Sequence, residues 1–412
     1  MLAELVFVTR LLGLMSSTRE LDIKVDPSVS SVEIVLDGER VEVVRGAPWK
    51  ARIDLGEELA PHELIAIARN KEGQELARDT QYINVPRPQA ELGVLLQRER
   101  AEISWKHIGD RKPKKMKVKL GEKTLTNDVT NVVKLPPVSP ASVNILSVDL
   151  TFEDGTHVHR DVVFGGFSEE VPAELTPTVV RERAQGRKDP ASCFRLGKQP
   201  VAASAVENSD NMIFVVRHPD PPGQTYRKQN YRIVAEQRFT MPKTSLRFYW
   251  PVTTGAGGAE LFQNSKPIEL AAARGVRSLV MNTIGPHSKN VRLADAVAIS
   301  GTEALREARR RAVLLVLNGE EDRSFYPPEV VRQYLTRVGV PLYVWSLKGP
   351  VPGSAWGEVE DVSKYDLLQT AIEKLRADLD QQRVAWLPLD PYDALHVAAA
   401  PDCAWEPLAA GK

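Results

Sequence analysis

The sequence predicts two antiparallel β-sandwiches followed by a doubly wound, mostly parallel α/β domain of Rossmann type. Three observations carry this. Short alternating apolar segments separated by turn signals run from residue 21 to 85 without a helical stripe. The same order of segments returns between residues 88 and 166. Far along the chain, residues 311–347, RAVLLVLNGEEDRSFYPPEVVRQYLTRVGVPLYVWSL, spell one complete strand, helix and strand unit.

The parts of that unit justify themselves singly. Residues 312–317 are six consecutive apolar residues, the pattern of a parallel strand buried on both faces. The polar NGEEDRS then leaves the sheet. Pro327 and Pro328 suit the first turn of a helix, where a missing N–H costs nothing, and Val330, Val331, Tyr334, Leu335 and Val338 make one apolar stripe. Gly339 supplies the stop, and residues 340–347 are again β-branched and aromatic. A crossover of this kind is right-handed and places helices on both sheet faces. Ligands of such sheets bind where the strands end, and that rim carries Asn318, Glu320, Glu321, Asp322 and Ser324.

A chain of 412 residues suggests about three domains. Lys plus Arg equals Asp plus Glu at 54 each, so no global field draws the protein toward nucleic acid or an anionic membrane. Cys193 and Cys403 are too few and too far apart for a disulfide framework or a zinc site. A single bridge stays open for an exported protein, but both cysteines fall in segments that read as irregular, and neither is expected to be essential to stability.

In chain order, MLAELVFVTRLLGLMSS has the length of a secretion signal, but Glu4 and Arg10 fit one poorly, and the alternative is an ordinary first strand. No window approaches the ~20 apolar residues of a membrane span. Residues 18–87 form the first immunoglobulin-like sandwich and 88–167 the second. Gly38 maps onto Gly121 at an offset of 83, and Gly73 onto Gly155 and Asp79 onto Asp161 at 82, so one module is expected twice. In the second copy Lys115, Lys117 and Lys119 alternate with Met116, Val118 and Leu120, the solvated face of an edge strand rather than a polyanion site. His157 and His159 share a strand face without a third ligand. Residues 168–190 read as a linker, 191–390 as the α/β domain and 391–412 as an irregular tail. Within the α/β domain, residues 212–216, 246–250 and 279–283 are candidate strands. Residues 304–311 and 365–383 are candidate helices, the latter with Leu368, Ala371, Ile372, Leu375 and Leu379 on one face.

An apolar strand ending in LNGEED, preceded by SGTEALREA and followed by a helix and VPLYVWSL, resembles the von Willebrand factor type A family. FRLGKQPVAASAVENSDNMIFVV before the first strand and LLQTAIEKLRADLDQQRVAWLP at the end are similar to segments of its bacterial VWFA-related branch. The resemblance spans about residues 176–388. It implies a metal ion-dependent adhesion site built from D-x-S-x-S after the first strand, a Thr in a second loop and an Asp in a third, because hard cations need such oxygen ligands. Here Arg217, His218, Pro219, Asp220 and Pro221 follow the first strand, Thr302 keeps the second position, and Asn318 stands for the third Asp. A guanidinium, a hydroxyl and an amide cannot offset the dehydration of Mg2+. The expectation is a degenerate site with no metal and no cofactor, whose rim is Arg217, His218, Asp220, Thr302, Asn318, Glu320 and Asp322. A rebuilt cation site on Asp220, Glu320, Glu321 and Asp322 is the alternative.

GAGGAE at residues 255–260 follows a candidate strand, but Glu260 replaces the third glycine of a dinucleotide loop, so a flexible turn is favoured. No G-x-S-x-G elbow, Walker loop or H-E-x-x-H occurs. The resemblance therefore implies a non-enzymatic protein that binds another protein by surface complementarity, in the periplasm or outside the cell, or in the cytoplasm if the N-terminus is no signal. Two alternatives stand beside it. One is a nucleotide-dependent enzyme using the loop from Gly255 to Gly258. The other is a structural scaffold in a larger assembly.

Overall fold

Alternating apolar residues build the sandwiches, and continuous apolar runs build a parallel sheet. The computed structural model describes residues 5–7, 9, 11, 13–85, 90–97, 100–107, 112–137, 144–153, 156–164, 176–218, 241, 243–253, 261–263, 268–269 and 290–409. Strand predominates among these, with three α-helices among the described residues. Met1–Pro86 and Leu175–Lys412 form one compact unit and Arg87–Glu174 another. The first sandwich, expected as a separate domain, is thus part of the same unit as the C-terminal half.

In the first unit, Leu5–Phe7, Thr18–Val25 and Lys50–Asp54 make a three-stranded sheet, and Glu39–Val44, Ser31–Leu36, His62–Arg69 and Glu75–Ile83 make a four-stranded one. Both bury alternate residues, Leu21 and Ile23 on one side and Val32, Ile34, Leu64 and Ala66 on the other, in a single core. In the N-terminal segment Leu5–Phe7 is a strand, with Leu5 opposite Val25. It continues into the core through Leu11, and the Asn84 side chain clasps Met15, accepting from its N–H and donating to its carbonyl at 2.7 Å each.

The parallel sheet of this unit runs Thr244–Thr253, Asn211–Arg217, Arg310–Leu317, Leu342–Ser346 and Glu360–Asp361, with Leu261–Gln263 and Ile268–Glu269 antiparallel at one edge. Every residue of Asn211–Arg217 is buried, the apolar run 212–216 together with the polar residues at its two ends. Val313 and Leu315 face the helices Leu293–Ala304 and Pro328–Arg337, while Leu314 and Val316 face the helix Tyr365–Asp380. Helices therefore cover both faces. The helix at 365 buries Leu368, Ala371, Ile372, Leu375 and Leu379, the stripe read from the sequence. Gly301 lets two helices meet, since a Cβ there would lie 2.9 Å from Leu335. Gly339 has φ +66°, and a side chain on it would run into the Leu408–Ala409 backbone.

Three expectations need correction here. The helix placed at 304–311 is instead Leu293–Ala304, because Arg310 and Arg311 already pair with Asn211 and Met212 in the sheet. The linker is not all linker: Thr176–Glu182 is a strand between Gln382–Leu387 and Trp405–Pro407. The tail from 391 is not irregular, since Val397–Ala399 pairs with Phe194–Leu196. These flanking segments make a small β layer whose core includes Val180, Phe194, Ala385, Val397 and Trp405. Cys193 and Cys403 lie in that core, 0 % and 1 % exposed, and are joined in a disulfide with 5.5 Å between their Cα atoms. The candidate strand at 279–283 lies outside the described residues.

The second unit packs the sheet Lys123–Thr126, Pro113–Leu120, Asn144–Phe152 and His157–Phe164 against Val132–Lys134, Arg100–His107 and Ala90–Gln97. Met116, Val118, Leu146, Val148 and Leu150 fill the core with Leu92 and Ile103. Lys115 and Lys117 are exposed as expected, but their strand is hydrogen-bonded on both sides. They mark a solvent face and not an edge. His157 and His159 flank Asp149, at 3.5 and 2.8 Å.

Candidate functional site

The rim at the carboxyl ends of the parallel strands begins with Arg217, the last residue of its strand. It is 1 % exposed and pairs with Val316 of the neighbouring strand. A buried guanidinium therefore ends this strand at the rim. His218 follows, half-buried. Asp220 and the glycine-rich stretch from Gly255 to Glu260 lie outside the described residues.

Across the rim, the loop after Arg310–Leu317 is fixed by its own acidic residues. The N–H of Asn318 donates to Glu320 at 2.7 Å, and Glu321 pairs with Arg323 at 3.2 Å. Asp322 turns to the helix Leu293–Ala304 and accepts from the N–H groups of Leu293 at 2.9 Å and Ala294 at 3.2 Å. It also accepts from the N–H and hydroxyl of Ser324, at 3.0 and 2.6 Å. A helix start leaves such N–H groups without partners, and a carboxylate there satisfies them and complements the dipole.

Asp295, in the first turn of the same helix, answers in the other direction. It is 6 % exposed and accepts from the N–H of Phe325 at 3.0 Å and of Tyr326 at 3.3 Å, while Arg292 Nε donates to it at 2.6 Å. The Asp295 N–H donates to Ser324 Oγ at 3.1 Å. All four oxygens of Asp322 and Asp295 thus accept from protein donors. Among the described residues no group of three or more His, Cys, Asp or Glu could hold a metal.

Held this way, the loop presents Phe325, 72 % exposed, edge-on to Tyr326 with ring centres 4.9 Å apart. Tyr326 is anchored by its hydroxyl, which donates to the carbonyl of Leu14 at 3.2 Å. Lys348 reaches over Gly319 from the next strand end.

Thr302 is not at this rim. It lies in the last turn of its helix, toward the opposite end of the sheet, with Oγ1 3.1 Å from the carbonyl of Ala298 and 2.9 Å from the Tyr334 hydroxyl. The structure therefore brings Arg217, His218, Asn318, Glu320 and Asp322 to one edge and removes Thr302 from it. Asp295 and Phe325 were missed. The Arg292 and Asp295 pair at i, i+3 before an apolar run was the available signal.

No family model matches this sequence, and no characterised protein matches it. Among solved structures, the fibronectin(III)-like modules of Clostridium thermocellum CbhA are 12 % identical over 41 % of this chain and 99 % of theirs, with a TM-score of 0.17. The central fibronectin-III array of RIM-binding protein is 12 % identical over 50 % of this chain and 77 % of its own, at 0.26. A β-glycosidase from Bacteroides vulgatus is 10 % identical over 40 % of this chain and 25 % of its own, at 0.24. Likenesses this slight carry nothing for the reading of the site.

Proposed function

We propose that this chain is a non-catalytic binding protein with a von Willebrand factor type A-like domain whose adhesion site has lost its cation. It contacts another protein through the rim loop around Phe325. The observation that carries this is the reciprocal capping of Asp322 and Asp295, which commits both carboxylates to main-chain N–H groups and leaves a large aromatic ring in solvent on a fixed loop. Rigid exposed aromatics are the residues that most often dominate protein interfaces. Sheet order and helices on both faces support the domain reading. The matching strand orders of the two sandwiches support a module present twice, and the buried Cys193–Cys403 bridge supports an oxidising compartment.

The test is recovery of the partner by crosslinking to the full chain, comparing wild type with Phe325→Ser. Truncating an anchoring aromatic lowers affinity by about tenfold or more, while EDTA changes nothing. Binding that survives Phe325→Ser but disappears in EDTA overturns the proposal.

A further inference from the structure

At the other end of the parallel sheet, a cavity of about 30 Å3 is lined by Thr178, Leu305, Arg311, Val338, Gly339 and Leu395, among others. Arg311 is the second residue of the strand Arg310–Leu317 and is 3 % exposed. Its Nη1 donates to the carbonyls of Ala304 at 3.1 Å, Leu305 at 3.3 Å and Glu307 at 3.5 Å. The plain reading is a guanidinium capping the C-terminal end of the helix Leu293–Ala304.

That reading accounts for one nitrogen and about half of the charge. Among the described residues Arg311 Nε is buried with no hydrogen-bond partner, and so is Oγ1 of Thr178, a residue 7 % exposed. Both residues line the cavity. The Glu307 carboxylate attracts the guanidinium but is hydrogen-bonded to Arg309, at 2.7 and 2.9 Å. A helix C-terminus offers roughly half a negative charge against a full positive one, and unpaired buried charge is costly. Burial pushes the Arg311 guanidinium down to about 10, still protonated at neutral pH. The helix end and Glu307, itself shared with Arg309, offset only part of that charge.

We propose that this cavity is a small-anion site, in which Arg311 Nε and Thr178 Oγ1 donate to one halide-sized monovalent anion. The single positive charge and two donors suit a monovalent ion. A single water needs about 10–15 Å3 of such space, so the cavity has room for one monatomic ion with a water beside it. A water would satisfy both donors and leave the charge uncompensated.

The test is the melting temperature of the full chain at fixed ionic strength as gluconate is replaced by chloride. We expect a saturable rise with chloride, reproduced by bromide and not by sulfate. Thr178→Val keeps the shape of the side chain and removes a donor to a charged ligand, so it should move the midpoint to about tenfold higher chloride. Arg311→Gln should abolish the dependence, and if it fails to fold, Thr178→Val carries the test. Equal melting in chloride and gluconate, or a chloride response unchanged in Thr178→Val, overturns the proposal.

Discussion

The buried hydroxyl of Tyr334 donates to the main-chain carbonyl of Asn84 at 2.9 Å, tying the helix Pro328–Arg337 to the end of the first sandwich. Around it Arg337 Nη1 donates to the carbonyl of Leu59 at 3.2 Å, and Leu59 itself enters the core under the helices. Farther along, Tyr392 stacks on Tyr82 at 6.0 Å and donates to Asp37 at 3.0 Å. The sandwich is a structural part of the α/β half.

Tyr334→Phe should therefore destabilise the whole unit. The change leaves the Asn84 carbonyl without this donor and costs about 1–3 kcal/mol, measured by urea unfolding followed at equilibrium. An unchanged midpoint would show that the contact contributes nothing.

What the sequence made legible follows from where its signals lie. The strand, helix and strand at 310–346 could be read because Pro328, the stripe through Tyr334 and Gly339 are all local. The helix Leu293–Ala304 escaped because Leu293, Asp295, Val297, Ser300 and Gly301 are all buried, so burial runs around it and no apolar stripe stands out. With that helix misplaced, Thr302 was put in a loop and Asp295 was overlooked. The strands at 397–399 and 405–407 are three residues long, and their partners lie some 200 residues away, where no periodicity can announce them.

Asp322→Ala removes acceptors for the Leu293, Ala294 and Ser324 N–H groups at once. A lost cap costs about 1–2 kcal/mol, and hydrogen exchange at Leu293 and Ala294 should accelerate while that of Leu335 does not. Uniform exchange across both helices would deny Asp322 its local role.

The disulfide closes a sequence separation of 210 residues. In the chain-entropy account such a loop contributes about 5 kcal/mol, so a double Cys193→Ser, Cys403→Ser variant should unfold at much lower denaturant, contrary to the sequence expectation. The measurement is the midpoint in guanidinium, and equal midpoints with and without the bridge would restore that expectation.

Glu63 sets a pH dependence. Burial, with the charges of Asp390, Asp393 and Asp37, holds its carboxyl above the ordinary 4.5. A raised folded-state value gives stability that is fully present below 4.5 and lost as pH rises through the raised value. Asp393 is raised too, by burial and then Asp390. Burial also opposes ionisation of Asp37, but hydrogen bonds from His62 and the Glu63 N–H bring it net below 3.8, so its contribution is lost on acidification. Glu63→Gln should raise the melting temperature at neutral pH, with the gain vanishing below pH 4.5. A gain independent of pH would place its origin in packing.

On the proposed function the rim works without a cation, its carboxylates being spent on the loop they hold. The most direct measurement is the melting temperature of the full chain with EDTA against saturating Mg2+ or Mn2+. A functional site at a hundredfold excess over Kd would stabilise by about 2.7 kcal/mol. Coincident melting curves are expected in the two conditions, and a saturable rise with either ion that Asp322→Ala removes would contradict the proposed function.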